Sequence, residues 1–150
     1  MQKLNLPEYD LKLKNESGRT MVFDPFRSKY VVLTPEEFVR QHFARFLIEE
    51  RGYPGTLMVT EYALKLNRMT KRCDILVFDR NRLPVTLVEC KAPEVKITQE
   101  VFDQVARYNI TFRVGHLMVT NGLNHYCCKV DFQTGSIVFL GDIPFYPDLI

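Results

Sequence analysis

The stretch CDILVFDRNRLPVTLVECK, residues 73–91, reads as two apolar strands joined by a turn. Aliphatic and β-branched residues dominate 73–79 and 84–91, and the polar RNRL segment between them is typical of a hairpin connection. Three charged residues interrupt the apolar pattern: Asp74, Glu89 and Lys91. Because such strand positions usually hold buried aliphatic side chains, these charges require an explanation beyond packing.

The register of this hairpin brings the three charges together. If the turn is framed by Asp79 and Pro84, the numbers of paired residues add to about 163, which places Asp74 opposite Glu89. Side-chain alternation then puts Asp74, Leu76, Leu87, Glu89 and Lys91 on one face of the sheet. The other face receives Ile75, Val77, Val88 and Cys90. Opposed carboxylates destabilise a sheet unless a positive charge offsets their repulsion.

A divalent cation is one way to offset that repulsion, because carboxylate oxygens are ligands that Mg²⁺ and Mn²⁺ prefer. A bound metal can polarise a phosphoryl oxygen and lower the pKa of a coordinated water. Lys91 can orient that water or neutralise charge in the transition state. The alternative is an Asp/Glu/Lys salt-bridge cluster that protects a sheet edge. Spacing alone leaves both interpretations open.

The composition indicates one globular unit. With 150 residues and 46% hydrophobic content, the chain can bury the core of one ordinary domain. We expect a single domain over 1–150, with an N-terminal arm and short hairpin in 1–33 and the core in 34–150. No apolar run approaches the roughly 20 residues of a membrane span, and the N-terminus lacks a secretory pattern. We therefore expect a cytoplasmic protein without a membrane partner.

Cysteine and histidine spacing does not indicate a zinc site. Cys127 and Cys128 are adjacent and Cys90 lies within a strand, so reduced thiols are expected rather than a disulfide framework. His125 and Cys127 share a strand face, but two ligands are too few, and core packing is the better interpretation. No GxxxxGK[ST] loop is present, so an ATP-driven step would need a partner protein.

Two helices and several further strands surround the charged hairpin. Thr34 at the N-cap, Pro35 at the first helical position and Gly52 beyond the end predict the first helix. Thr98 is the expected cap of a second helix, QEVFDQVARYN. The remaining predicted strands are 57–64, 116–120, 125–132 and 136–140. This order favours an α/β or α+β sheet covered by helices on its faces.

A basic segment, KLNRMTKR, immediately precedes the hairpin. Its four positive residues are Lys65, Arg68, Lys71 and Arg72. Such residues can contact nucleic-acid phosphates, and binding would then weaken with added salt. A solvated loop is the alternative. Arg27, Arg40 and Gln41 are further candidates to line the same cleft.

Asp74 followed by Glu89-Cys90-Lys91 resembles the PD-(D/E)xK nuclease motif, although Cys73 stands where the motif name has Pro. Gln104 and Tyr108 in the second helix match the QxxxY motif of the RecB-like and type I restriction branches of that superfamily. The segments LTPEEFVRQHF, KRCDILVFDR, LVECKAPEVKIT, FDQVARYN and MVTNGLNHYC are similar to stand-alone relatives of the N-terminal domain of the type I restriction enzyme R subunit. The resemblance covers roughly 20–145.

The resemblance implies a restriction-endonuclease-like α/β (α+β) fold, with a central mixed sheet of about five strands flanked by helices. It also implies a Mg²⁺-dependent (or Mn²⁺-dependent) deoxyribonuclease. Asp74, Glu89 and the carbonyl of Cys90 would hold the metal, and Lys91 would assist the attacking water. Gln104 and Tyr108 would bind phosphate or hold the lysine, and such folds often add a carboxylate from the first helix. Glu37 is favoured over Glu36 for that role, although both also suit the helix dipole.

Other functions remain open at this point. A catalytically silent DNA-binding or assembly module would keep the fold without turnover. A structural subunit would dock onto a larger restriction or repair complex through its N-terminal arm. The expected partners are DNA and such a complex, with a separate motor. A homodimer would supply two sites for cutting both strands of a duplex.

Overall fold

The computed structural model describes residues 1–66 and 68–150, with all side chains of these except those of Leu64, Leu66, Met69, Lys71 and Tyr108. In this part of the chain, nine strands form two sheets and are accompanied by two α-helices. The strands are β1 (Leu13–Glu16), β2 (Arg19–Asp24), β3 (Lys29–Val32), β4 (Met58–Leu66), β5 (Met69–Phe78), β6 (Pro84–Cys90), β7 (His116–Thr120), β8 (His125–Val130) and β9 (Ile137–Phe139). The helices are α1 (Pro35–Arg51) and α2 (Gln99–Phe112).

The larger sheet is mixed and has six strands in the order β4-β5-β6-β7-β8-β9 among the described residues. Strands β6 and β7 are parallel, and the other neighbours are antiparallel. Helix α1 packs Val39, Phe43 and Leu47 against one face, and α2 packs Phe102 and Val105 against the other. The predicted mixed sheet flanked by helices is therefore confirmed, with six strands in place of about five.

Helix α1 begins and ends as predicted. The Oγ1 of Thr34 accepts a hydrogen bond from the Glu37 N–H at 3.0 Å, and Pro35 occupies the first helical position. Gly52 ends the helix with φ of 71°, a left-handed conformation that glycine adopts without steric cost. This start directs the first turn of α1, and with it Glu37, toward the charged hairpin.

Helix α2 begins at Gln99 as predicted but ends later than predicted. Thr98 occupies the N-cap position, but its hydroxyl makes no capping hydrogen bond. The helix continues to Phe112, three residues beyond the predicted end. The Asn109 side chain accepts a hydrogen bond from the Val114 N–H at 2.7 Å and donates one to the Val114 carbonyl at 2.9 Å. This closure fixes the chain as it leaves α2 for β7.

The N-terminal segment is more extensive than the predicted short hairpin. Strands β1, β2 and β3 form an antiparallel three-stranded sheet. The prediction missed β1, LKNE, because its four residues are all exposed and carry no apolar alternation. Asp24 at the end of β2 is fully buried and accepts a hydrogen bond from Thr60 of β4 at 3.1 Å, which joins the two sheets.

The charged hairpin has the predicted register. Strands β5 and β6 pair Ile75 with Val88, Leu76 with Leu87, and Val77 with Thr86, so the residue numbers of each pair add to 163. The aliphatic faces also agree with the prediction, because Ile75 and Val88 face α1 whereas Leu76 and Leu87 face α2. The register shifts only after Val77.

Strands β4 and β5 are longer than predicted and form a hairpin of their own. Strand β4 continues to Leu66 and β5 begins at Met69, instead of ending at 64 and beginning at 73. Lys65 and Arg72 of the basic segment therefore lie in strands rather than in a loop, and their side chains are exposed to solvent. Cross-strand pairing of Lys65 with Thr70 supports the extension.

The cysteines are free and buried, and they pack in the core as expected. Cys127 packs on the α1 side and Cys128 on the α2 side, as alternation requires. His125 bonds to Thr120 Oγ1 at 2.7 Å and to the Asn5 carbonyl at 2.9 Å, which fixes the N-terminal arm against β8. Neither helix in the described part of the chain has the length and apolar character needed to cross a membrane.

Candidate functional site

The three charges of the hairpin gather near the end of β6. The Lys91 Nζ lies 3.4 Å from Glu89 Oε1. Asp74 Oδ2 accepts a hydrogen bond from the Cys90 N–H at 2.7 Å, which ties β5 to the segment that carries Glu89 and Lys91. The side chains keep 17% (Asp74), 15% (Glu89) and 26% (Lys91) of their surface exposed. A ligand in solution can therefore reach all three side chains.

The electrostatics of this site favour an additional positive charge. Burial, reinforced by the neighbouring Asp74 carboxylate, raises the pKa of Glu89 to about 8, and Lys91 lowers it. Burial likewise raises the pKa of Asp74, against the opposing effects of the Cys90 N–H and Arg40. Two partly desolvated carboxyl groups, each with a raised pKa and a further carboxylate nearby, form a site where one ammonium group does not balance the charge.

Arg40 of α1 connects the site to two further carboxylates. Its Nη1 lies 3.4 Å from Asp74 Oδ1, and the same atom contacts Glu61 of β4. Its Nε donates to Glu37 Oε2 at 3.2 Å. Only 9% of the Arg40 side chain is exposed. One buried guanidinium therefore joins three carboxylates, from α1, β4 and β5.

The structure distinguishes Glu37 from Glu36. Glu36 is exposed, whereas Glu37 is buried, with 4% of its side chain accessible. Beyond its contacts with Arg40, Glu37 accepts from Arg27 Nη2 at 3.2 Å and from Gln41 Nε2 at 2.9 Å. Its link to Asp74 therefore runs through Arg40. Arg27, Arg40 and Gln41 are the three further candidates for lining the cleft, and all of them contact Glu37.

Asp74 does not lie on the predicted face of the sheet. Glu61 has φ of 53°, a left-handed conformation within a strand, and the register places it opposite Asp74. Thr60 and Glu61 both contact residues on the α1 side, so strand alternation is interrupted here. Asp74 accordingly reaches Arg40 of α1, whereas Leu76 faces α2. Cys73 and Leu76 both pack on the α2 side and Ile75 packs on the α1 side, so alternation is also interrupted within β5, and the prediction that Asp74 and Leu76 share a face is wrong.

Glu61 was missed by the sequence reasoning, although a signal was present. It is a charged residue in the middle of the predicted strand LMVTEYAL, as Asp74 and Glu89 are in theirs. The β4–β5 register would have placed it beside Asp74. Predicting that register requires both strands to extend into the basic segment, which the prediction treated as loop.

The Gln104 side chain is exposed on α2, and no hydrogen bond joins it to Asp74, Glu89 or Lys91 in the described part of the chain. The Tyr108 side chain lies outside the described residues. The support role of both residues stays a prediction.

The basic residues of the β4–β5 hairpin are linked to the site through Arg72. Lys65, Arg68 and Arg72 are exposed, and the Lys71 side chain lies outside the described residues. Arg72 Nη1 lies 3.8 Å from Glu61 Oε2, so the hairpin is linked to the Arg40 cluster. Exposed cations of this kind can contact a phosphodiester backbone.

The donor set fits a small hard cation with few protein ligands. Among the described residues, no group of three or more His, Cys, Asp or Glu side chains is arranged to hold a metal ion. Asp74 and Glu89 supply two carboxylates, and a backbone carbonyl such as that of Cys90 can supply a third oxygen. The Cys90 thiol is excluded, because it is 2% exposed and packs toward α1. Mg²⁺ commonly binds through one or two carboxylates and keeps several waters.

A cavity of about 480 Å³ lies elsewhere, between the N-terminal sheet and α1. Its lining includes Phe23, Phe26, Arg45 and Ile48, and it contains none of Asp74, Glu89 and Lys91. The Asp74 and Glu89 carboxylates therefore lie outside this cavity.

Comparisons with known proteins agree with the fold. A family model described as type I restriction enzyme R protein N terminus matches residues 35–144. A fragment structure assigned to an HsdR subunit of a type I restriction enzyme from Vibrio vulnificus YJ016 is similar with a TM-score of 0.56 and 21% identity. The similarity covers 78% of this chain but only 24% of that chain. Curated proteins gave no match. Because the family model spans well over half of the chain, this protein belongs to the family of type I restriction enzyme R protein N termini.

Proposed function

We propose that this protein is a metal-dependent DNA endonuclease domain of the restriction type, which hydrolyses phosphodiester bonds. The observation that carries the proposal is the pairing of two desolvated carboxyl groups, Asp74 and Glu89, with Lys91 at the end of one strand pair. A buried like-charge pair that is open to solvent on one side is costly unless a cation completes it.

In this mechanism, Asp74, Glu89 and the Cys90 carbonyl would hold Mg²⁺ or Mn²⁺. The bound ion would polarise the scissile phosphate and lower the pKa of a coordinated water. Lys91 lowers the pKa of Glu89 and would donate a hydrogen bond to the attacking water or to the phosphoryl oxygen as charge develops. Gln104 and Tyr108 would support the phosphate or the lysine, and Glu37 would act through Arg40.

DNA is the proposed substrate because the family and the exposed cations point to the same chemistry. Lys65, Arg68, Lys71 and Arg72 would contact backbone phosphates on the duplex that leads to the site. A restriction complex with a separate motor is the proposed larger partner, since the similar fragment belongs to an R subunit. Two copies of the chain would supply the two sites needed to cut both strands.

Cleavage of plasmid and linear DNA by the purified protein tests the proposal. We expect nicking or cutting with Mg²⁺ or Mn²⁺ and none with EDTA. Asp74→Asn keeps an acceptor for the Cys90 N–H but removes the charge, so cleavage should fall by at least about 100-fold while the fold is retained. Asp103→Asn is the matched control, because Asp103 is exposed on α2 and bonds only to Gln99 among the described residues.

Equal cleavage by wild type and Asp74→Asn would overturn the catalytic proposal. Salt-sensitive DNA binding that persists in EDTA, with no cleavage under any divalent metal, would instead favour the silent DNA-binding module. The exposed hairpin cations are the observation that keeps this second function open.

The salt dependence of DNA binding tests the hairpin. Replacing Arg68 by alanine removes an exposed cation, so the slope of log K against log salt should become shallower by about 0.9 if one phosphate contact is lost. Fluorescence anisotropy with labelled duplex at several salt concentrations in EDTA measures this slope. Arg19 at the start of β2 is also exposed, and Arg19→Ala should leave the slope unaltered. An unchanged slope for Arg68→Ala would show that Arg68 does not contact the DNA.

A further inference from the structure

The Asp74 carboxylate is held on both oxygens by the protein itself. Its Oδ2 accepts from the Cys90 N–H at 2.7 Å, and its Oδ1 lies 3.4 Å from Arg40 Nη1. Each carboxylate oxygen has two lone pairs, so one on each remains for another partner. With both oxygens contacted, rotation of the carboxylate about its Cβ–Cγ bond is restricted.

Arg40 is itself fixed from two sides. Its Nε donates to Glu37 Oε2 at 3.2 Å within α1, and its Nη1 contacts Glu61 of β4. Glu61 reaches it from a left-handed backbone, with φ of 53°, a conformation that costs free energy and persists only where surrounding contacts hold it. A planar guanidinium with five donors can bridge three carboxylates, which a lysine ammonium on a flexible stem does less well.

We propose that Arg40 is a positioning residue, which sets the orientation of Asp74 for a divalent cation. This inference rests on the proposed function, and it assigns to Arg40 no contact with the reacting atoms. Glu37 and Glu61 orient the guanidinium, and the guanidinium orients the Asp74 carboxylate. Arg40 would thus orient the ligand Asp74 without binding the metal itself. Hydrogen-bonded partners of ligating carboxylates have this role in other proteins.

The charge of Arg40 is offset by the carboxylates of its own cluster. Arg27, Arg40 and Arg72 carry three formal positive charges, and Asp24, Glu37 and Glu61 carry three formal negative ones. Removing Arg40 should therefore weaken metal binding through lost orientation rather than strengthen it through lost repulsion.

Mn²⁺ titration calorimetry without DNA tests this inference directly. Arg40→Lys retains the charge but loses the planar fork, and we expect the dissociation constant for Mn²⁺ to rise by about 10- to 100-fold. The variant Glu37→Gln/Arg40→Met/Glu61→Gln removes the guanidinium without leaving two buried carboxylates unpaired, and it should weaken Mn²⁺ binding by a similar factor. Arg51→Met is the control, since Arg51 is also partly buried but bonds to Ile143 and Asp142.

Cleavage supplies a second readout, because a pure defect in metal binding is overcome by more metal. The Mg²⁺ concentration for half-maximal cleavage should rise in Arg40→Lys, while the rate at saturating Mg²⁺ approaches that of wild type. A misfolded variant would not recover. Mn²⁺ affinity in Arg40→Lys equal to or tighter than wild type overturns the positioning role, whereas wild-type protein that binds no Mn²⁺ overturns the proposed function itself.

Discussion

Replacing Lys91 by alanine is expected to lower the rate of DNA cleavage at saturating Mg²⁺ by about 100- to 1000-fold, the loss typical of removing one charge-stabilising donor. Lys91 is the only described cation within 4 Å of Glu89, at 3.4 Å, and it is exposed enough to meet a phosphate. Gel-based initial rates over a range of Mg²⁺ concentrations measure the effect. The fold should be retained, because the side chain contributes no buried apolar contact to either core cluster.

Two roles of Lys91 can be separated by pH. Lys91 lowers the pKa of Glu89, so its loss raises that pKa further and weakens metal binding near neutrality. At pH of about 9.5, Glu89 should be ionised in wild type and largely so in the variant. A persistent cleavage defect there indicates action on the reacting phosphate or water, whereas full recovery would limit Lys91 to keeping Glu89 charged. Lys96→Ala, at an exposed loop position, is the control.

Mn²⁺ affinity is expected to rise with pH and to level off above about 8, the value to which burial raises the pKa of Glu89. Below that pKa, Glu89 is protonated in the metal-free protein, and the metal must displace the proton. The apparent binding constant should therefore increase by up to about tenfold per pH unit. Titration calorimetry at about pH 6, 7, 8 and 9 measures the profile, and proton release on binding can be read from buffers of different ionisation enthalpy.

The raised pKa of Glu89 has the opposite effect on the folding stability of the metal-free protein, which should fall as pH rises. A carboxyl group with a folded-state pKa above its unfolded value contributes stability at low pH that is lost as pH rises from about 4.5 to about 8. Thermal melts in EDTA should therefore show falling stability over that range, and Mn²⁺ should restore it most strongly at the alkaline end. Glu89→Gln should remove most of the pH dependence; an unchanged profile in that variant would assign the titration to another group.

Local sequence signals predicted the elements that carry the site. The caps at Thr34 and Gly52 define α1 because their chemistry acts within a few residues. The turn between Asp79 and Pro84 set the register of β5 and β6, since a hairpin leaves few ways to pair two strands. This register suffices to place Asp74 near Glu89 and Lys91 at the end of the hairpin.

What the sequence did not predict depends on long-range contacts and on one strained residue. Arg40 meets Asp74 only because α1 packs across β5, and no spacing rule encodes that contact. Strand alternation, on which the predicted faces relied, is interrupted in β4 at the left-handed Glu61 and in β5 between Cys73 and Leu76. Local rules fail where the backbone departs from regular geometry, and such departures concentrate at functional sites.

The most direct test of the central claim is the location of Mn²⁺ by anomalous diffraction in crystals soaked at saturating metal concentration. The proposal predicts one peak that lies between Asp74 and Glu89, with metal–oxygen distances of about 2.0 to 2.3 Å to both carboxylates. In crystals of Asp74→Asn, the same peak should be lost or strongly weakened. Well-ordered carboxylates without a peak at saturating Mn²⁺, or a peak bound elsewhere in the chain, would contradict the assignment of this pair as the metal site.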